Sequence, residues 1–235
     1  HGGAFGSRGG YRPSRGELDE ENIDAVTRGA QGNLDRHIRN MAGFGMPVIV
    51  SINRFTADTD GELDALAAQA RASGAHAVTM TEVHAKGGAG GEELARAVVS
   101  AIQDHVAAGR PFTPLFNKDA PVMDKVNGIA KRIYKAEGVE VETKAVKQLA
   151  AIESWGYGHL PVCMAKTQYS FSHDAGQLGA PVGFTIPVRE FRLNAGAGFI
   201  VAVLGNMMTM PGLPKRPAAA DMDMDENGQL TGVFG

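Results

Sequence analysis

Cysteine is almost absent from this sequence: among 235 residues only Cys163 carries a thiol. A single cysteine excludes an internal disulfide, which fits a reducing cytoplasm. Its neighbours in HLPVCMA are apolar, so Cys163 is expected as a small buried core residue. Excess positive charge is missing too. The net charge is −3, so no basic face advertises a nucleic-acid backbone as partner, and a local basic pocket stays open. No apolar run approaches the roughly 18–20 residues of a membrane span, and no stretch reads as a signal peptide. Tryptophan occurs once, as Trp155 in ESWGYG, where it is expected to pack.

Patterns for metal or nucleophilic chemistry are missing as well. The histidines (His1, His37, His76, His84, His105, His159 and His173) show no H-x-x-x-H or Cys/His spacing. His37 and His105 fall in predicted helices and read as surface or core-edge residues. Asp221, Asp223 and Asp225 alternate in DMDMDENG. Without the glycine and distal glutamate of a calcium loop, they are expected on a strand with one charged face. No G-x-S-x-G and no catalytic triad is visible.

What the chain does have is an ordinary globular composition, 43% hydrophobic and 21% charged, with 31 glycines. It starts at His1 in the loop-like HGGAFGSRGGYRPSRGE and reads as a piece of something longer. Residues 19–42 carry Ile23, Val26, Ala30, Leu34, Ile38 and Met41 at helical steps, weakened by Gly29 and Gly32. PVIVSIN (47–53) predicts a buried strand. Thr59 and Glu62 have capping-box spacing for a helix with Leu63, Leu66, Ala67 and Ala70, which Gly74 ends. AHAVTMT (75–81) predicts the next strand. A helix follows with Leu94, Val98, Val99, Ile102 and Val106 on one face.

This strand–helix–strand–loop–helix order is the grammar of a parallel sheet with covering helices. Ligands in such sheets gather at the carboxyl ends of the strands. Two loops share that edge, NRFTADTD and EVHAKGGAGG. Beyond the proline-interrupted RPFTPLFNKDAP, two further helices are expected. One carries Val126, Ile129, Ala130, Ile133 and Tyr134; the other covers 142–154. HLPVCMA, FTIPVREFRL and GFIVAVLG read as strands, and DENG as a turn before a last short strand. A boundary is therefore set near 112.

Three loops are candidates for chemistry; one of them, MTMPGLPKRPAA, has three prolines and a glycine that predict a rigid loop, and its composition says little about its purpose. In EVHAKGGAGG, Lys86 and the glycines precede a helix start, where backbone N–H groups attract anions. The lysine precedes the glycines, no Ser or Thr follows, and Glu92 and Glu93 occupy the first turn. Phosphate cradling, a surface for a flat ligand and a plain turn all stay open. In AKTQYSFSHD, Lys166, Thr167, Gln168, Ser170 and Ser172 follow directly on a predicted strand. A ligand loop and a solvated loop are both open there.

With AKGGAGG, PVCMAKTQYSFS, GAGFIVAVLGNMMTMPGLPKRPAA and GQLTGVFG together, the chain resembles formate–tetrahydrofolate ligase (10-formyltetrahydrofolate synthetase). The likeness is collinear from His1 to Gly235. It implies a cytoplasmic, homotetrameric ligase of one-carbon metabolism that makes 10-formyltetrahydrofolate from formate, ATP and tetrahydrofolate through formyl phosphate. ATP would come with Mg and a monovalent cation.

The family's N-terminal P-loop has no match here. The resemblance thus implies an α/β fold in two parts. Residues 1–111 would be the end of a large parallel βαβ nucleotide-type domain, and residues 112–235 a smaller α+β region with a C-terminal tail. No catalytic residue and no metal site is assigned to this stretch, which is expected to be inactive without the missing N-terminal part. The partners expected are small-molecule substrates and that part, with neither nucleic acid nor membrane.

The folate side is what carries over. The family stacks the pterin between a phenylalanine, matched by Phe55, and a tryptophan, whose place is taken here by His84. Lys86, Gly87 and Gly88 join that site, with Asp58, Thr59, Lys166, Thr167 and Gln168 as further pocket-loop residues. Histidine stacks with less area than tryptophan and can carry charge, so pterin affinity and its pH dependence are where this sequence is expected to differ. Two other readings remain: a non-catalytic folate-binding or structural module, and an unrelated βαβ nucleotide-binding domain.

Overall fold

A computed structural model describes residues 20–166, 170–205, 215–226, 228 and 230–231. The fold is mixed α/β, with parallel strand pairing in two separate sheets.

The first helical region runs from α1 (Ile23–Gly29) through a π-turn (Ala30–Leu34) into α2 (Asp35–Ala42). The side chain of Asn22 caps α1 by accepting from Ala25 N. The π-turn contains Gly32, in keeping with a glycine that weakens regular helix. Next come β1 (Ile49–Asn53), α3 (Asp60–Ala72) and β2 (Ala77–Thr81). β1 and β2 pair parallel, with Asn53 opposite Thr81. α3 closes one face of this pair through Ile52, Leu63 and Ala67, with Val50, Leu66, Val78 and Met80 around them. The expected capping box is half formed. Thr59 accepts from Glu62 N at 3.3 Å, but the Glu62 carboxylate accepts from Asn22 N at 2.7 Å instead, tying α3 to α1. Gly74, at φ +99°, ends the α3 segment as expected.

After β2 the chain forms a short helical turn α4 (Val83–Lys86), a 3₁₀ turn (Gly87–Gly91) and α5 (Glu92–Ala107). The connector beyond is bound down: Thr113 N donates to Phe44 O at 2.8 Å, and Phe44 and Phe112 stack at 5.6 Å. α6 (Val122–Arg132), β3 (Gly138–Val141), α7 (Thr143–Ser154), β4 (Val162–Ala165), β5 (Thr185–Asn194) and β6 (Phe199–Leu204) follow. Their sheet has the order β3-β5-β6-β4, antiparallel only between β5 and β6. β3 is an element the sequence reading lacks, because four residues of GVEV present too short a pattern.

The main core lies here. α6 contributes Val122, Val126 and Ala130, and α7 contributes Ala145, Leu149 and Ile152. They meet Ile186, Val188 and Phe191 of β5 and Ile200, Ala202 and Leu204 of β6. A register shift between Val188 and Glu190 moves the buried set of β5 from even to odd positions, so Phe191 returns to the core. The short strands β7 (Asp223–Met224) and β8 (Leu230–Thr231) pair antiparallel around the DENG turn.

Two expectations are overturned. Cys163 is exposed rather than buried, because Val162 and Met164 of β4 pack on the core and strand alternation turns Cys163 to the opposite face. Trp155 is 64% exposed just past the end of α7 and is no packing residue. No helix among the described residues is long and apolar enough to cross a membrane.

Candidate functional site

Parallel pairing in register brings the carboxyl ends of β1 and β2 side by side, and Arg54 N donates to Thr81 O at 2.9 Å just past them. The two loops read from the sequence therefore leave the same edge at neighbouring points. In the first, Asp58 accepts from Phe55 N at 2.8 Å, and Arg54 pairs with Asp60 at 2.8 Å. This turn holds the backbone of Phe55 while its side chain stands out, with the residue 54% exposed. An aromatic ring displayed on a fixed turn presents a flat apolar face without collapsing onto the protein.

In the second loop Glu82 accepts from Lys86 Nζ at 2.5 Å, and that bond holds the Glu82 carboxyl below its usual range. Lys86 is thus engaged in an i,i+4 pair. With Glu92 and Glu93 in the first turn of α5, the place is a poor phosphate cradle. Gly87 has φ +59° and ψ −143°, a conformation that glycine adopts and other residues avoid. A Cβ on Gly90 would stand 2.5 Å from the backbone of Glu82, and Glu82 N donates to Gly90 O at 3.0 Å. Gly90 thus serves the loop's own closure. A Cβ on Gly87 or Gly88 would meet nothing within 4 Å, and His84 is exposed on the turn before them.

The other candidate loop sits on the second sheet. Lys166, just past β4, donates to Ser170 O and lies 5.5 Å from the centre of the Tyr134 ring. Burial lowers the Lys166 ammonium pKa and pushes the Tyr134 phenol up to about 12. Ser170 and Ser172 are buried and close the loop by accepting from Ser172 N and Asp174 N. Thr167 and Gln168 lie outside the described residues, as does much of the MTMPGLPKRPAA block.

Sequence reasoning missed what surrounds this loop. Arg36 of α2 donates to Tyr134 O at 3.2 Å and Ala180 O at 3.3 Å, and its guanidinium lies 5.4 Å from the Phe171 ring. Burial lowers its pKa. His37 packs on the same ring at 4.7 Å; burial, then Lys166 and Arg36, lower its pKa. A groove of about 720 Å³ runs alongside, lined by Arg28, Gly32 and Arg36 on one side and Leu178, Ala180 and Val182 on the other. No local pattern announces it, since its walls are almost 150 residues apart in sequence. Among the described residues no group of three His, Cys, Asp or Glu is placed to hold a metal ion.

Comparison with known proteins completes the picture. A family model described as formate–tetrahydrofolate ligase matches residues 1–234. Proteins named formate–tetrahydrofolate ligase from Roseobacter denitrificans and Paracoccus denitrificans are 48% and 49% identical over 221 residues. One from Leuconostoc citreum is 49% identical over 218 residues. The first two matches cover 94% of this chain, which spans 39% of those relatives' length.

Proposed function

The chain belongs to the formate–tetrahydrofolate ligase family, and from that premise we propose that it supplies the pterin side of an ATP-dependent ligase. The reaction runs in two steps. ATP transfers its γ-phosphoryl group to formate, giving formyl phosphate and ADP. The folate amine then attacks the formyl carbon, phosphate leaves, and the amine proton is lost to give 10-formyltetrahydrofolate. Phosphorylation matters because formate has no leaving group. The protein's share on this side is to hold a flat ring beside the reacting centre and keep water out.

One observation carries the reading: the adjacent carboxyl ends of β1 and β2 lead into two loops that each expose a ring, Phe55, fixed at its backbone by Asp58, and His84. The ring of Phe55 offers one face for the pterin and His84 the other. The open space over Gly87 and Gly88 lets the ligand approach the backbone. Lys86 contributes its methylene stem with its charge held by Glu82. Asp58 and Thr59 shape the first loop, and the loop that begins at Lys166 is the candidate for a second wall. ATP, with Mg and a monovalent cation, binds chiefly on the part of the relatives that this chain does not span. No catalytic residue is assigned to the present chain. The working enzyme is a cytoplasmic homotetramer, with a domain boundary near residue 112.

Two measurements test this. Titration calorimetry with tetrahydrofolate should show binding that Phe55→Ala weakens at least about tenfold and His84→Trp tightens by about 2- to 10-fold, as expected for aromatic stacking. Affinity indifferent to both substitutions would remove the stacking role. The purified 235-residue chain should give no ATP- and formate-dependent product; measurable turnover would overturn the division of labour.

A further inference from the structure

The two loops that expose Phe55 and His84 are each closed on themselves. In the first, Asp58 N donates to Phe55 O at 3.1 Å while the Asp58 carboxylate accepts from Phe55 N. In the second, Glu82 is the closing residue. Its N donates to Gly90 O at 3.0 Å, and its carbonyl accepts from Ala85 N at 3.0 Å and Lys86 N at 2.8 Å. Each ring therefore stands on a turn whose shape is set locally. The gap between the turns is a separate matter. Below them the strands are pinned, with the Ser51 and Thr81 hydroxyls 3.0 Å apart and Arg54 N on Thr81 O. Past that point no backbone hydrogen bond joins residues 55–60 to residues 82–91 among the described residues.

Side-chain charge crosses instead. Arg54 precedes Phe55, and its guanidinium pairs with Asp60 at 2.8 Å. Glu82 follows directly on Thr81, the residue that accepts the Arg54 N–H. The Glu82 carboxyl is held low by the Lys86 bond above all, and also by the charge of Arg54. Asp60, Arg54, Glu82 and Lys86 thus alternate in sign along one edge, with Phe55 at one end and His84 at the other. Their side chains are 34–82% exposed. Ion pairs this open to water add little stability, so a brace for the fold is a poor account of them. Spacing is a better one. A flat ring stacked on both sides needs its two walls about 7 Å apart, since each contact takes about 3.5 Å.

We propose that Arg54 is a positioning residue for the pterin site: anchored by Asp60, its guanidinium attracts Glu82 across the edge and sets the gap between Phe55 and His84. The inference rests on the proposed folate reading. Arg54 acts through the two turns and not by touching the ligand.

Calorimetry on the 235-residue chain tests this with two ligands, tetrahydrofolate and 6-methyltetrahydropterin, which has the reduced ring and no carboxylate. Arg54→Gln should weaken both by the same factor, about 3- to 10-fold. Its melting temperature should move by less than about 2 °C. Arg54→Lys, which keeps the charge, should recover most of the loss. In a chain that already carries Glu82→Gln, adding Arg54→Gln should cost less than about twofold more, because the partner is gone. Backbone amides of residues 83–91 should exchange at least about threefold faster in Arg54→Gln.

A loss confined to tetrahydrofolate overturns the proposal, because Arg54 then meets the ligand's carboxylates directly. So do unchanged affinity, a full further loss on top of Glu82→Gln, and a fall in melting temperature beyond about 5 °C, which marks a structural brace. If the unsubstituted chain binds neither ligand, the folate reading fails by itself. Hydrogen exchange then decides the role of Arg54: faster exchange of residues 83–91 supports the spacing, and unchanged exchange overturns it.

Discussion

Gly90 and Gly88 sit two residues apart in the same loop and do different work. Gly90 has no room for a Cβ against the Glu82 backbone, so Gly90→Ala should destabilise the chain by about 1–3 kcal/mol. Gly88 faces open space, so Gly88→Ala should stay within about 0.5 kcal/mol in urea unfolding. If the pterin lies against this turn, Gly88→Ala weakens folate binding without touching stability. His37 supplies a pH test. Its folded pKa lies below the ordinary 6.5, mainly through burial and then through Lys166 and Arg36. The unfolded chain therefore takes up this proton first as pH falls, and the contribution of His37 to stability is lost from about pH 7 downward. Melting temperatures of His37→Gln should fall less steeply than those of the unmodified chain between about pH 7.5 and 5.5; parallel curves would show that the proton matters little.

At the scale of elements, α6 depends on an unusual buried lysine. Lys125 is fully buried and donates to His159 O at 2.8 Å and Leu160 O at 3.0 Å, fastening α6 to the turn between α7 and β4. Burial lowers its pKa. Lys125→Ala leaves two carbonyls without a donor and opens a cavity, a loss of about 2–4 kcal/mol. Lys125→Met fills most of the volume and should lose about half as much by urea denaturation. Helical period alone does not distinguish such a lysine from a solvated one. The same limit applies to α5. Its apolar residues were legible as a helix, but the stripe that packs is Leu94, Ala97 and Ala101, and the valines face outward. In β5 the alternation of buried residues breaks at the bulge, which only pairing with β6 explains.

Over the whole molecule, the two sheets differ in how well they are covered. The second has a core drawn from α6, α7, β5 and β6; the first closes around Ile52, Leu63 and Ala67. Opening should follow that difference. Backbone amides of β1 and β2 should exchange at least about tenfold faster than those of β5 and β6 in native-state hydrogen exchange. α2 joins the halves through Arg36 to Tyr134 O and Ala180 O and through Asn40 to Ile133 O at 3.0 Å.

The sequence by itself determined the βα order, the carboxyl-end loops holding Phe55 and His84, and the family, because these follow from local periodicity and from long collinear blocks. Only the tertiary structure decided the exposure of Cys163 and Trp155, the pairing of Lys86 with Glu82, the Arg36 groove and the uncovered side of α5. Each of these depends on where one segment's side chains or backbone come to lie against another's, and local pattern carries no record of that distance.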